Sequence, residues 1–476
     1  MQLWPTLLLS IPFLPAGLSN FISPRQVSVD AWVSAEEPIA RSSIFRNIGN
    51  QGEFAKSAAP GVVIASPSTS SPDYYYQWTR DAALVYKTLL NTYINGNTSM
   101  ETLLEQYIDH QAGLQRLETR SGGYTSGGLG EPKFYVDGSA FNENWGRPQP
   151  DGPALRTIVL AKYANILLDA GRADYVQSRL YDGKLPTESV IKADLEYVSH
   201  NWEITNGFDL WEEITGLHFF TMMVQHRALI EGAELADRLN DPGAAEYYRR
   251  QAAAIKARLP QFWDAQKGYL VGTLRSSQAR SGEDCGTLLG SIHGNGKRGM
   301  GIYTPGSDEV LATLQALVDS MKDLYPLNQN PEAPGIAVGR YPSDVYDGVG
   351  TSIANPWFIC TFTTSEILYS ALVEFNDRGN LTVSSISERF FKQFSSSVSA
   401  GSTYGPGTSQ WTDILGGMKT YADSFIAVAQ RHAAVNGSMS EQFGRIDGFM
   451  KGARDLTWSY ASFLSMRWAR NGEVAF

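Results

Sequence analysis

Cysteine is scarce in this chain, because Cys285 and Cys360 are the only two among 476 residues. Their small number excludes a scaffold held together by several disulfide bonds, so core packing must supply most of the stability. One bridge between the two remains open as an alternative. Cys360, however, follows the apolar run Pro356–Ile359, where a buried and unpaired cysteine commonly acts as a small hydrophobic residue. We therefore predict two free thiols.

Positive charge and long apolar runs are also lacking. The chain carries 49 acidic against 39 basic residues, a formal charge of −10. A nucleic acid needs clustered lysine and arginine, so this balance excludes it as a partner. After the first twenty residues, no apolar run approaches the roughly 18–20 residues that span a bilayer. We expect a soluble protein that does not bind membranes.

Motifs for metals and cofactors are missing as well. The six histidines show neither H-x-x-x-H spacing nor cysteine partners, which argues against a catalytic metal. Gly294–Gly299 matches a dinucleotide-type glycine pattern, but no predicted strand precedes it, so we interpret it as a loop. No serine-nucleophile elbow occurs. We expect no metal and no cofactor.

The chain does have a leader-like N-terminus. Leu7–Leu14 is apolar and small residues follow it, although no lysine or arginine precedes it. We interpret residues 1–19 as a signal peptide and residues 20–29 as a candidate pro-segment, and we expect secretion. Three N-x-S/T sequons fit that compartment as candidate glycosylation sites: Asn97, Asn380 and Asn436.

Helical periodicity dominates the rest, while strand-like alternation is scarce. Leu84-Val85, Leu89-Leu90 and Tyr93-Ile94 recur at steps of three to four residues, which predicts a helix. Similar patterns lie near residues 35–48, 103–114, 153–169, 186–200, 217–236, 243–263, 308–324, 357–375, 384–397, 412–433 and 455–469. Twelve or so helices make an all-α protein. They fit a solenoid, a bundle or a closed toroid of hairpins, and the absence of a fixed-period repeat favours the toroid.

Long loops separate the helices. Ser66–Tyr76, Ser121–Pro150, Ser281–Pro305 and Asn328–Asn355 are rich in Gly, Pro, Ser, Asn and aromatic residues. Long loops inside a compact domain are usually functional. No linker or second β-patterned module follows the last helix, so we predict a single domain over residues 30–476, and we expect a monomer.

Three carboxylates surround one tryptophan in Asp209–Glu213, just ahead of a predicted helix. Crowded acids raise one another's pKa, and a carboxyl kept protonated in this way can protonate a glycosidic oxygen. The alternative is that Glu212 and Glu213 only favour a helix N-terminus.

A candidate partner carboxylate is Glu441, in the turn-rich segment Asn436–Gln442. An inverting glycosidase holds its base about 6.5–9.5 Å from its acid, with room for a water, whereas a retaining enzyme holds the pair about 5 Å apart. The alternative for Glu441 alone is a solvated loop residue.

Aromatic and charged side chains occur together in the loops, as sugar binding requires. If alternate helices line the inside of a toroid, loops at one end converge on a shared pocket. The segments with this mixture are Tyr74–Asp81, Trp145–Asp151, Gly339–Asp344, Asn355–Trp357 and Thr457-Trp458.

Several segments together resemble fungal glucoamylases of glycoside hydrolase family 15, in order from about residue 30 to about residue 470. The matching segments are Ala65–Thr69, Tyr76–Asp81, Gly130–Phe134, Trp145–Arg156, Asp209–Glu213, Leu288–His293 and Arg454–Tyr460. The resemblance implies an (α/α)6 barrel. It also implies inverting hydrolysis of terminal α-1,4 bonds, and more slowly α-1,6 bonds, of starch, dextrins and malto-oligosaccharides, with release of β-D-glucose.

The resemblance also implies roles for single residues. Glu212 matches the family's general acid and Glu441 its general base, while Asp209 tunes the environment of the acid and Trp145 positions acid and substrate. The residues that it places around the first sugar subsites are Tyr74, Trp78, Arg80, Asp81, Leu210, Trp211, Glu213, Arg340, Trp357 and Trp458.

The chain departs from the family pattern in some respects. Many fungal relatives carry several disulfides and a starch-binding domain, and this sequence has neither, so we expect poor hydrolysis of raw granular starch. Pro150 and Cys285-Gly286 also differ from the expected pattern, so the resemblance gives no expectation for the outer subsites or for thermal stability, while the core site is unaffected.

Two rival functions remain. One is a related all-α hydrolase, trehalase-like or dextran-acting, and the other is a secreted carbohydrate-binding protein that has lost catalysis. The presence of both carboxylates argues against the second.

Overall fold

The computed structural model describes residues 27–297 and 299–476. The predicted signal peptide at 1–19 and the candidate pro-segment up to residue 26 lie outside the described residues. Within them, 14 α-helices dominate. They are α1 Val29–Arg46, α2 Thr79–Ile94, α3 Glu101–Gln115, α4 Asp151–Asp169, α5 Ala173–Arg179, α6 Val190–Asn201, α7 Phe219–Arg238, α8 Pro242–Arg258, α9 Cys285–Asn295, α10 Asp308–Lys322, α11 Phe358–Arg378, α12 Glu388–Lys392, α13 Ser409–His432 and α14 Thr457–Arg470.

Strands are limited to two-residue segments in five antiparallel pairs within the described residues. They are β1 Gln77–Trp78 with β2 Lys133–Phe134, β3 Leu217–His218 with β6 Thr273–Leu274, β4 Trp263–Asp264 with β5 Tyr269–Leu270, β7 Leu381–Thr382 with β8 Thr403–Tyr404, and β9 Gln442–Phe443 with β10 Met450–Lys451. These short pairs fasten loops to one another and form no layer of their own.

Six helices close into an inner ring, in which α2 packs on α4, α4 on α7, α7 on α9, α9 on α11, α11 on α14, and α14 on α2. A second set lies outside: α1, α3, α6, α8, α10 and α13 pack on α14, α2, α4, α7, α9 and α11 respectively. The prediction of an all-α (α/α)6 barrel is therefore confirmed.

The two rings differ in burial because they face different surroundings. Most residues of α7 and α11 are buried on every side, whereas α8 and α10 bury one stripe and expose the other. A helix between barrel interior and outer ring contacts protein all round, while an outer helix needs only one apolar face. The chain alternates inner and outer helices, so all inner helices begin at the same end of the barrel.

Helix α9 corrects the prediction that Ser281–Pro305 is one loop. Glycines hid it from the periodicity analysis, yet they are needed there, because a Cβ at Gly290 would lie 2.9 Å from the Phe219 ring and one at Gly294 would lie 2.7 Å from Met223. Small residues let α9 approach α7 closely. The glycine pattern that starts at Gly294 therefore begins inside a helix rather than in a loop.

Two further helices differ from the predictions. The short α5 was not predicted, because seven residues give too little periodicity. Of the predicted helix at 384–397, only the five residues of α12 are helical. All other predicted helices are present, with shifts at their ends.

The prediction of two free thiols is wrong, because Cys285 and Cys360 form a disulfide with a Cα–Cα distance of 5.9 Å. Cys285 opens α9 and Cys360 lies in the first turn of α11, the next helix of the inner ring. Both side chains are buried, as expected for Cys360. Sequence could not reveal that these two helix starts are neighbours.

Candidate active site

A cavity of about 310 Å³ opens at the end of the barrel where the inner helices begin. Helix N-termini carry partial positive charge, so their convergence favours carboxylates there. Eighteen residues line the cavity: Ala65, Tyr74, Trp78, Arg80, Asp81, Trp145, Gly146, Leu210, Trp211, Glu212, Glu213, Arg340, Tyr346, Trp357, Ile359, Glu441, Leu456 and Trp458.

The structure brings together every predicted site residue except Asp209 in the lining of this cavity. Asp209 is buried behind it, in the turn that carries Glu212. The predicted site residues did not include Ala65, Gly146, Tyr346, Ile359 and Leu456. Tyr346 could have been found as an aromatic residue in a glycine-rich loop, close to Arg340, whereas the other four carry no such signal.

Glu212 sits in a turn whose backbone is held by Asp209. The Asp209 carboxylate accepts hydrogen bonds from the backbone N–H groups of Glu213 and Ile214, at 2.8 and 3.2 Å. Glu212 itself has φ +68°, a left-handed conformation that is rare for residues other than glycine. The backbone is thus constrained at the residue whose carboxylate enters the cavity, which is typical of functional sites.

Three donors surround the Glu212 carboxylate. Trp145 Nε1 donates to Oε2 at 2.7 Å, Gln149 Nε2 donates to Oε1 at 3.0 Å, and Arg80 Nη2 lies 3.4 Å from Oε1. Arg80 in turn contacts Asp151 at 3.2 Å. These contacts fix the orientation of the carboxylate.

Asp81 lies beside Arg80 with an N–O distance of 3.4 Å. Burial raises the pKa of Asp81 to about 6, while Arg80 opposes that rise. The pair therefore presents a cation and a titrating carboxyl at the start of α2, the kind of groups that bind sugar hydroxyls.

Glu441 is buried, with 1% of its surface exposed. Burial raises its pKa to about 8, and Arg340 and the hydroxyls of Tyr74 and Tyr346 act in the opposite direction. The Tyr74 and Tyr346 hydroxyls also lie 2.9 Å apart. A carboxylate in this setting is a strong base once it is ionised.

Gly452 allows the backbone to approach Glu441. It has φ +68°, and a Cβ at this position would collide with the Glu441 carboxylate. Glu441 N–H donates to the carbonyl oxygen of Ala453 at 2.8 Å, which fixes the two segments against each other. A glycine is therefore required here both for conformation and for space.

Glu213 lies on another wall of the cavity, where it binds two arginine side chains. It accepts from Arg340 Nη2 at 2.7 Å, from Arg280 Nη2 at 2.5 Å and from the Tyr341 hydroxyl at 2.5 Å. Arg340 is also held by both oxygens of Asp344, at 2.6 and 2.7 Å. With its partners engaged in this way, Glu213 is a structural carboxylate rather than a proton donor.

Aromatic rings complete the walls. Trp78 lies 5.5 Å from Tyr74 and 5.9 Å from Trp145 between ring centroids, and Trp211 lies 5.7 Å from Trp357. Such faces can stack on the C–H faces of sugars while the charged groups bind hydroxyls. The cavity thus combines two carboxylates in different environments with a lining suited to carbohydrate.

Residues 27–297 and 299–476 contain no group of three or more His, Cys, Asp or Glu side chains that is arranged to hold a metal ion. No described helix has the length and apolar character to cross a membrane. The sequon residues Asn97, Asn380 and Asn436 are exposed.

Residues 38–468 match the sequence model of glycosyl hydrolases family 15. This chain belongs to that family. It is 41% identical to a probable glucoamylase of Schizosaccharomyces pombe over 446 residues, covering 94% of this chain and 93% of that one. It is 42% identical to glucoamylase-1 of Schizophyllum commune, covering 96% of this chain and 77% of that one.

Solved structures agree with the sequence relatives. The family 15 glucoamylase of Hypocrea jecorina superposes with a TM-score of 0.88 at 39% identity, covering 94% of this chain and 73% of that one. The prediction that the chain is a glycoside hydrolase, a glucan 1,4-alpha-glucosidase, is thereby confirmed.

Proposed function

We propose that this family 15 enzyme hydrolyses terminal α-1,4 bonds of starch, dextrins and malto-oligosaccharides with inversion, Glu212 acting as general acid and Glu441 as general base. The observation that carries the proposal is that these two carboxylates line one sugar-sized cavity in unlike environments. Glycoside hydrolysis, inverting or retaining, requires two carboxylates that flank the scissile bond, and the family resemblance favours inversion. The released sugar is then β-D-glucose.

The acid acts first on the leaving group. Protonated Glu212 gives its proton to the glycosidic oxygen as the C1–O bond breaks. The carboxylate that this leaves is stabilised by the Trp145 and Gln149 N–H donors and by the charge of Arg80. These interactions strengthen as negative charge appears on Glu212, so they favour the transition state over the ground state.

The base acts on the attacking water. Ionised Glu441 takes a proton from a water that attacks C1 on the face opposite the leaving group, which inverts the anomeric configuration. The pKa of Glu441 is raised by burial, so its carboxylate has a strong affinity for that proton. Arg340, Tyr74 and Tyr346 oppose the rise and keep the ionised form accessible.

Attack at chain ends follows from the depth of the cavity. Beyond Trp458, side chains such as Leu289, Glu366 and Trp468 fill the barrel, and they leave only about 10 Å³, the space of about one water. A glucan therefore cannot thread through the barrel and has to enter by its terminus. We propose that α-1,6 bonds are cut more slowly in the same site.

We further propose that the protein is secreted, acts as a monomer and carries N-glycans on its exposed sequons. The leader-like first 19 residues and the exposure of Asn97, Asn380 and Asn436 support this.

Replacing each carboxylate by its amide tests the mechanism. Glu212→Gln and Glu441→Gln should each lower kcat on maltose by about 10²–10⁴-fold, because each removes one proton transfer from the reaction. Glu374→Gln is the matched control, since Glu374 is a partly buried carboxylate that accepts hydrogen bonds from Thr304 and Gly306, and it does not line the cavity. A Glu212→Gln protein that hydrolyses maltose as fast as the parent would end the proposed mechanism.

A further inference from the structure

Lys133 is a buried cation near the site to which the mechanism above gives no role. It belongs to β2 and pairs with Trp78 of β1, and only 2% of its surface is exposed. Burying an ammonium group costs free energy unless an interaction compensates for it. The contacts of this side chain therefore show which interactions compensate for burying its charge.

Four aromatic rings surround the Lys133 ammonium and form an aromatic cage. Its Nζ lies 3.5 Å from the ring centroid of Trp145, 4.0 Å from Tyr76, 4.3 Å from Phe141 and 4.6 Å from Trp78. All four distances are within the range of cation–π attraction. Among the residues that the structure describes, no carboxylate oxygen lies within 4.0 Å of this Nζ, so the rings are its main partners.

The rings of the cage also support one another. Trp145 lies 5.9 Å from both Trp78 and Phe141, and Phe141 lies 5.4 Å from Tyr76, each in an edge-to-face arrangement. The shortest ammonium contact is made by Trp145, a partly exposed residue at the cavity rim. An exposed indole needs such contacts to keep one orientation.

The orientation of Trp145 matters because its Nε1 donates to Glu212 Oε2 at 2.7 Å. We propose that Lys133 is a positioning residue for the general acid, whose ammonium holds the Trp145 indole so that its N–H points at Glu212. This inference rests on the proposed role of Glu212. Lys133 touches neither substrate nor reacting atoms in this account.

Charge gives the arrangement a second effect. Burial lowers the pKa of Lys133 to about 8, and the neighbouring charge of Glu212 opposes that fall. Below this pKa, Lys133 is cationic. Its charge and the Trp145 N–H both attract the negative charge that appears on Glu212 when its proton is transferred.

A double-mutant cycle between Lys133 and Trp145 tests the proposal. Lys133→Met keeps an unbranched side chain, one atom shorter, and removes its charge, and it should lower kcat on maltose by about 10- to 100-fold, as expected for a misplaced catalytic group. In a Trp145→Phe protein, which already lacks the N–H donor, the same change should cost less than about threefold. Equal losses in both backgrounds, or no loss in either, would overturn the proposal.

The split between kcat and KM separates positioning from a merely structural role. Lys133 acts on the orientation of the general acid, so Lys133→Met should lower kcat and kcat/KM for maltose by the same factor, whereas Lys133→Arg, which keeps the cation, should recover most of that loss. A Lys133→Met protein in which KM rises while kcat is unchanged contradicts the proposal. Lys192→Met is the control for a lost buried lysine, because Lys192 is paired with Asp241 away from the cavity.

Two further measurements keep the outcomes distinct. If Lys133→Met does not fold, the cycle is run with Lys133→Arg, which should slow the parent more than the Trp145→Phe protein, and equal effects would overturn the proposal. Glu212→Gln is measured in parallel. Full activity of that variant rejects the proposed function, whereas its inactivity together with additive Lys133 and Trp145 effects rejects only the positioning role.

Discussion

At the scale of single residues, the two proposed catalytic carboxylates differ in solvent access. The Glu212 side chain is 16% exposed and meets three donors, whereas Glu441 is almost completely buried. Proton donation requires contact with the leaving group, and proton abstraction requires a high affinity for a proton. The environments therefore match the proposed division of roles.

Tyr74→Phe should shift the acid limb of the activity profile. Glu441 must be ionised to act as base, so activity falls as the pH drops through its pKa. The Tyr74 hydroxyl lowers that pKa, so its removal should move the acid limb to higher pH, by about one unit for a hydrogen bond to a charged group. The measurement is kcat/KM for maltose as a function of pH.

Tyr75→Phe provides the control for this prediction. Its hydroxyl contacts Ser57 at 2.7 Å and does not line the cavity, so the profile of this variant should match that of the parent. An acid limb that stays in place in Tyr74→Phe would show that this hydroxyl does not act on Glu441.

Single residues also show what sequence can reveal about the site. Glu212 and Glu441 were found because carboxylates in turn-rich segments before helices fit the chemistry, and the family resemblance named the same two. Tyr346 and Arg280 were missed, because their roles depend on contacts with Glu441 and Glu213 from distant segments. Such contacts exist only after the barrel has closed.

At the scale of elements, the difference in burial between outer and inner helices explains which helices could be predicted from the sequence and which could not. Outer helices such as α10 and α13 are amphipathic, so the periodicity of their apolar residues can be recognised in the sequence. Helix α9 lacks such a pattern, because it is buried on every side and three of its residues are glycines. The α9–α11 neighbourhood, and with it the disulfide, therefore could not be predicted.

Removing the disulfide should lower stability. It closes a loop of 75 residues between α9 and α11, and loss of a bridge of this size costs about 2–5 kcal/mol. Cys285→Ala, Cys360→Ala and the double variant should lose similar amounts, because either single change breaks the bond. Differential scanning calorimetry gives the Tm of each. A double variant as stable as the parent would contradict a structural role for this bridge.

At the scale of the whole molecule, the barrel has a cavity at one end and is filled by side chains beyond it. The inner helices all begin at one end, and the long loops that precede them meet around the cavity, while side chains fill the barrel beyond it. Helix number and the absence of a repeat favoured a toroid over a solenoid, and the family resemblance implied the (α/α)6 barrel. The closure of its interior depends on side-chain packing that sequence does not reveal.

This closure predicts how substrate ends are used. A cyclic α-1,4 glucan has no terminus to enter the cavity, so it should not be hydrolysed at enzyme concentrations that degrade maltoheptaose readily. Chromatography of the products should show glucose as the only small sugar released early from maltoheptaose. Ring opening, or early maltose and maltotriose, would contradict the exo-acting mode.

The central claim is inversion by Glu212 and Glu441, and the anomer of the first product tests it most directly. The protein is incubated with maltoheptaose, and proton NMR records the released sugar before mutarotation equilibrates it. Inversion should give β-glucose alone at early times. Release of α-glucose would contradict it, because retention requires a nucleophile in place of the base proposed here.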